Sequence, residues 1–149
     1  KDKVKLSSTG NIAPNFSLKD NKGKMVNIFD YRGKYVLLSF GSTTCGICRA
    51  EKQEAVKVYN ELKTRKENIE FISIIKDIED LPLSKNISDT IKWTILPVDG
   101  GWSSKTFDTY YIREIPYNIL IDPAGRILDR NIPITALPQK LKELTKDKI

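Results

Sequence analysis

The sequence predicts an α/β domain, a central mixed β-sheet flanked by helices with a β-hairpin extension at its N-terminal end. Three observations predict it. The runs Tyr35-Val36-Leu37-Leu38-Ser39-Phe40 and Ile69-Glu70-Phe71-Ile72-Ser73-Ile74-Ile75 are short and nearly continuously apolar, as strands buried on both faces of a parallel sheet are. Between them a helical period runs from about Gly46 to Arg65, so strand, helix and strand make a βαβ unit. Two further apolar runs, Asn118 to Asp122 and Arg126 to Asp129, bracket Pro123-Ala124-Gly125 and read as an antiparallel hairpin, which makes the sheet mixed.

Taken in order, Asn15-Phe16-Ser17-Leu18 and Met25-Val26-Asn27-Ile28 flank a turn-rich stretch containing Asn21 and Gly23, the pattern of the N-terminal hairpin. Tyr31 to Lys34 connects it to the first buried strand. In the long helix, Ile47, Glu51, Ala55, Val58 and Leu62 recur at steps of three and four and are expected to share one face. Lys76 to Lys92 is polar, with a short helix expected near Ile78 to Ile91 and interrupted by Pro82. Thr94 to Val98 reads as a short extended segment. Ser103 or Ser104 is placed to cap a helix carrying Phe107, Tyr110 and Tyr111 that ends before Pro116. Leu137, Leu141 and Leu144 mark one face of a C-terminal helix, with Pro138 tolerated in its first turn.

The 149 residues suffice for one domain with a full core, expected over 12–149. Lys1 to Asn11 is polar and without period. It reads as a tether between a trimmed signal or lipid anchor and the domain, or equally as an arbitrary boundary. No run approaches the ~20 apolar residues that cross a bilayer. The net charge of +6 comes from lysines scattered along the chain, often beside acids as in Lys140-Leu141-Lys142-Glu143. A nucleic-acid surface would concentrate them in a stripe with interleaved aromatics, and no such stripe is present.

Chemistry concentrates at Cys45 and Cys48, the only cysteines, which fall where the first buried strand gives way to the long helix. The unpaired N–H groups of a helix's first turn favour an anion, so Cys45 is expected to be the more acidic thiol and the attacker. Cys48, one turn in, is expected to be shielded and to resolve a mixed disulfide. A purely structural staple is the competing reading, but closing so short a loop is worth only ~2 kcal/mol, against nearly 5 for a loop of about a hundred residues. Structural zinc wants four Cys or His ligands, and the chain has two cysteines and no histidine. Copper(I) tolerates two soft thiolates and stays open on ligand type.

These residues, with Ala13-Pro14-Asn15-Phe16-Ser17-Leu18, Asp30 to Phe40 and Ile115-Pro116-Tyr117-Asn118-Ile119-Leu120-Ile121-Asp122-Pro123-Ala124-Gly125, resemble the thioredoxin superfamily over nearly the whole chain. The similarity is greatest to the TlpA/ResA-like thiol-disulfide oxidoreductases tethered outside the bacterial cytoplasmic membrane. The resemblance implies a thioredoxin-like fold and a cis bond before Pro116, packed against the cysteine pair. It also implies that the backbone of Ile115 pairs with an extended substrate segment. Glu51 stands where ResA-like proteins have a glutamate near the active site. Placed on the inward stripe, its carboxyl would have a raised pKa suited to exchanging a proton with the resolving thiol.

Three departures from the family pattern bear on function. Thr44 replaces the usual tryptophan before the first cysteine, so the substrate-binding rim differs. Ser39 stands six residues before Cys45, where thioredoxins carry a buried aspartate, which leaves the proton relay to Glu51. Gly46-Ile47 between the cysteines lacks the common proline.

The expected function is a thiol-disulfide oxidoreductase that reduces disulfide-containing protein substrates outside the cytoplasm, in the periplasm or cell envelope. It needs no bound cofactor or metal and no nucleic acid. Its electrons come from another dithiol protein, for instance a membrane-embedded one. The enzymatic alternative is a peroxiredoxin-like peroxidase, which shares the opening and a cysteine at a helix start. That pattern wants proline where Leu38 stands, and its resolving cysteine is not usually three residues on. The remaining alternatives are a copper(I)-binding or delivery module, set against a single distant Met25 and no histidine, and a binding protein using Trp93, Trp102, Tyr110, Tyr111 and Tyr117.

Overall fold

The computed structural model describes residues 7–42, 45–76 and 91–146. Strands β1 (Ser17–Lys19) and β2 (Met25–Asn27) form the expected antiparallel hairpin, Leu18 opposite Val26. Its turn is set by Asp20, whose Oδ1 accepts the N–H groups of Lys22 and Lys24 at 2.9 and 2.8 Å. Five more strands, β3 (Tyr35–Ser42), β4 (Ile69–Lys76), β5 (Thr94–Pro97), β6 (Tyr117–Ile121) and β7 (Ile127–Arg130), make one sheet in the order β5-β4-β3-β6-β7. β3, β4 and β5 run parallel, while β6 and β7 are antiparallel additions, so the sheet is mixed.

β3 is central, and Leu37 lies opposite Phe71 on one side and Leu120 on the other. Alternation along the strand sends its side chains into two different cores. Val36, Leu38 and Phe40 join Ile72, Ile74 and Ile119 beneath the hairpin residues Phe16 and Val26 and the aromatics Phe107 and Tyr110. Tyr35 and Leu37 join Phe71 and Leu120 beneath Val58 and Leu62 of helix α1 (Gly46–Thr64) and Leu137 and Leu141 of helix α3 (Leu137–Lys146). Covering both faces is why β3 and β4 are apolar without alternation.

Two expectations need correction. Ile47 is not on the inward face of α1, since it is 70% exposed. The seam starts instead at Cys48 and runs through Glu51, Ala55, Val58 and Leu62, the same three-and-four spacing begun one residue later. The helix carrying Phe107, α2 (Lys105–Thr109), is capped by Ser104, whose Oγ accepts the N–H of Phe107 at 3.1 Å. It is shorter than its aromatic spacing predicts. Tyr110 ends it and Tyr111 turns into the left-handed region at φ 54°, exposing its ring. Tyr110 stays in the core and donates to the carbonyl of Pro14 at 2.5 Å. The helix expected near Ile78 to Ile91 lies outside the described residues, apart from Ile91 itself, which is buried.

Both edges of the sheet are occupied. Along β7, Gly10 N–H donates to the Ile127 carbonyl at 2.7 Å and Ile127 N–H to the Asn11 carbonyl at 2.9 Å. Arg130 adds a bond to the Ser7 carbonyl at 2.8 Å, so residues 7–11, part of the stretch read as a tether, lie against this strand. Along β5, the hairpin's Asn21 donates to the Ile95 carbonyl at 3.1 Å, and Pro97 offers no donor.

Leu62 is fully buried at the contact of α1 with the sheet and α3. Leu62→Ala is expected to destabilise the domain by about 2–5 kcal/mol, read from urea unfolding, because the site loses buried methyl groups and retains a cavity.

Candidate active site

β3 ends at Ser42 and α1 starts at Gly46, which places the cysteine pair at the C-terminal end of the central strand. Cys45 is the helix N-cap, extended at φ −95° and ψ 112°. Its Sγ accepts the N–H of Cys48 at 3.0 Å, and its carbonyl accepts that of Arg49 at 3.2 Å. The first turn carries no acidic side chain to oppose an anion on that sulfur. Cys45 and Cys48 are joined as a disulfide with Cα atoms 5.2 Å apart. Their surroundings differ. Cys45 is partly exposed beside the open Ile47, whereas Cys48 is 7% exposed and lies against the backbone of Gly41.

Behind Cys48 is a small cavity of about 30 Å³, large enough for a water molecule. Its floor is a polar rung across three strands. Ser39 of β3 is paired with Ser73 of β4 on one side and Asn118 of β6 on the other, and all three line the cavity. Trp93 closes one wall, donating to Ser73 Oγ at 2.8 Å and packing on Tyr59 and Phe71 with centroids 5.0 and 5.2 Å away. Pro116 forms part of the lining, and the Ile115–Pro116 bond is cis.

Glu51 faces this cavity one turn below Cys48 and accepts a bond from Asn118 Nδ2 at 3.3 Å. Burial raises its carboxyl pKa, and the Asn118 bond opposes the rise in part. Asn118 is held by a second bond to the Ile132 carbonyl at 3.0 Å. Lys52 also lines the cavity, and burial lowers its ammonium pKa to about 8.

The structure therefore brings Cys48, Glu51 and Pro116 to one cavity, with Cys45 bonded at its mouth and Ile115 beside Pro116 and partly buried against the core. Thr44, expected at the substrate rim, lies outside the described residues. Asn118 and Lys52 were not anticipated. For Asn118 the available signal was one amide inside the apolar run Tyr117 to Ile121; for Lys52 it was a cation next to an inward glutamate. Among the aromatics, Tyr110 is buried and Trp93 partly buried against the core, whereas Trp102 and Tyr111 are exposed.

A disulfide at the start of a helix that leaves the central strand, with a cis-proline bordering the same cavity, defines a thioredoxin-fold dithiol oxidoreductase. The chain belongs to the AhpC/TSA family, whose model matches residues 9–130. It is similar to the thiol-disulfide oxidoreductase ResA of Bacillus anthracis, 29% identical over 131 residues covering 88% of this chain and 73% of that one. ResA of Bacillus subtilis is 26% identical over 121 residues, covering 81% and 65%. Among solved structures, a thiol-disulfide oxidoreductase from Bacteroides fragilis superposes with TM-score 0.78 at 35% identity, covering 90% of this chain and 99% of that chain. The thioredoxin domain of a Bacteroides vulgatus thiol-disulfide oxidoreductase does so with TM-score 0.79 at 27%, covering 92% and 97%. This is a TlpA/ResA-like protein of the thioredoxin superfamily, and an enzyme of thiol-disulfide exchange.

The raised pKa of Glu51 has a consequence for stability. A carboxyl whose folded pKa lies above its unfolded value binds its proton more tightly when folded. The stability this gives is complete below the unfolded pKa and is lost as pH rises through the folded one. Glu51→Gln removes that loss and keeps an acceptor for Asn118. The oxidised variant is expected to exceed the parent in stability at pH 7, and the gap should close below about pH 4, in urea titrations across that range.

Proposed function

We propose that the protein reduces disulfide bonds in protein substrates outside the cytoplasm, with Cys45 as the attacking and Cys48 as the resolving sulfur. One observation carries this reading: two bonded sulfurs in unlike settings, the outer one capping a helix and open to a partner, the inner one enclosed beside a carboxyl group. A thiolate at Cys45 gains the Cys48 N–H and the field of the first helical turn.

In the proposed cycle Cys45 thiolate attacks a substrate sulfur, forming a mixed disulfide and expelling the other substrate sulfur as a thiolate that takes a proton from water. Cys48 then gives its proton to Glu51 and attacks Cys45 Sγ. The Cys45–Cys48 bond forms, the mixed disulfide breaks, and the second substrate sulfur leaves with the electron pair and is protonated in turn. Two electrons have passed from the dithiol to the substrate. An extended substrate segment docks along the backbone of Ile115 beside Pro116. No bound cofactor takes part. A dithiol protein, membrane-embedded or otherwise extracytoplasmic, restores the reduced pair. The location outside the cytoplasm, by secretion or a lipid anchor, is supported by the TlpA/ResA-like character of the chain.

The peroxidase and copper(I) readings are not favoured, since the relatives are named for thiol-disulfide exchange and Leu38 is a buried strand residue where a peroxiredoxin wants proline. Oxidation of Cys45 by hydrogen peroxide is expected to be no faster than that of a free thiol, as stopped-flow fluorescence would show.

Cys48→Ser is expected to accumulate Cys45-linked mixed disulfides with protein substrates on non-reducing gels, and Cys45→Ser to form none. Glu51→Gln is expected to slow the resolving step by about 10²-fold, the lower end of general acid–base effects, in single-turnover reduction of a peptide disulfide. A Cys48→Ser protein that captures no disulfide substrate would contradict the cycle.

A further inference from the structure

We propose that Lys52 is a positioning residue for the resolving step, its ammonium holding the enclosed Cys48 sulfur as a thiolate while Glu51 carries the proton. The proposal rests on Cys48 being the resolving thiol.

Glu51 and Lys52 follow Cys48 by three and four residues on α1, so both stand one turn below it, and both line its cavity. A surface lysine lays its stem on apolar groups and keeps its head in water, which preserves its ordinary pKa. Lys52 is half-buried and lines the cavity together with Trp93, Ala55 and Ile75, and this burial lowers its ammonium pKa to about 8. At neutral pH it is still mainly charged, in surroundings where screening is weak.

Among the described residues, the other elements packed round the cavity add no charge. They contribute the polar side chains of Ser39 from β3, Ser73 from β4 and Asn118 from β6, together with Trp93, Gly41, Pro116 and apolar side chains. Among the described residues, the titratable groups lining it are Cys48, Glu51 and Lys52. Before proton transfer the cavity holds an ammonium, a carboxylate and a thiol. After it, the cavity holds an ammonium, a carboxylic acid and a thiolate. With Lys52 both states are neutral overall, whereas without it each would place a lone anion in a poorly solvated site, which is costly. In the step itself Cys48 loses its proton to Glu51 and attacks Cys45 Sγ. The Cys45–substrate bond breaks, and the departing sulfur takes the electron pair and then a proton.

The test uses the reduced full chain and dithiodipyridine, an uncharged disulfide that releases one thiopyridone on attack by Cys45 and a second on resolution by Cys48. Stopped-flow absorbance separates the two releases across pH. In Lys52→Met the pH midpoint of the second phase is expected to rise by about one unit. The thiolate fraction then falls about tenfold at pH 7, while the less acidic sulfur becomes about threefold more nucleophilic, so the phase slows roughly threefold. Lys52→Gln should behave alike, and Lys52→Arg should restore both midpoint and rate. A Met variant with the parental midpoint overturns the role of Lys52, and so does a slowing that arginine does not correct. A parent protein with no second release overturns instead the reading of Cys48 as resolver, which keeps the two failures distinct.

Discussion

The bond from the Cys48 N–H to Cys45 Sγ ties reactivity to architecture, because the reacting sulfur is also the cap of the helix that crosses from β3 to β4. Strand and helix have to meet at this residue. β3 is fixed on both sides by β4 and β6, and α1 is seated by Val58 and Leu62 against the sheet and α3. The position of the sulfur is thus set by the two cores, far beyond the four residues of the cysteine segment. An unopposed helix terminus then supplies the partial positive charge that favours a thiolate.

Along α1 the inward face changes character. Its C-terminal half contributes apolar residues to a sealed core, while its first turns present Cys48, Glu51 and Lys52 to a cavity floored by hydroxyl and amide groups. Burying a carboxyl and an amine there works against folding, as their displaced pKa values record. Better-packed apolar residues would make a more stable helix seat. The domain holds its ionisable groups where they are poorly solvated and concentrates its stability at the other end of the same helix, an arrangement common where reactivity and packing share one element.

Much of the fold was legible because the sheet is covered on both faces: β3 and β4 stand out as unbroken apolar runs, and Asn21 and Gly23 mark the hairpin turn. The cysteine pair, Glu51 and the proline before β6 were legible as residue types at fixed spacings. What escaped depends on pairing between distant segments. Asn118 matters because register sets it against Ser39, and nothing local in Tyr117 to Ile121 announces that partner. Ser39 read only as a missing acid, although it is the middle of a polar rung joining Ser73 and Asn118. Ile47 fitted the helical stripe arithmetically, yet in the first turn that direction opens to solvent beside Cys45. Tyr111 followed Tyr110 in the aromatic pattern, but a left-handed residue at the helix end turned its ring outward.

The two flanks of the sheet, sealed by residues 10–11 along β7 and by Asn21 and Pro97 along β5, bear on how the protein keeps company with unfolded chains. Extended polypeptides adhere to folded proteins most readily by adding a strand to an open sheet edge. With these flanks taken, the described sheet gives such chains little to adhere to by backbone alone.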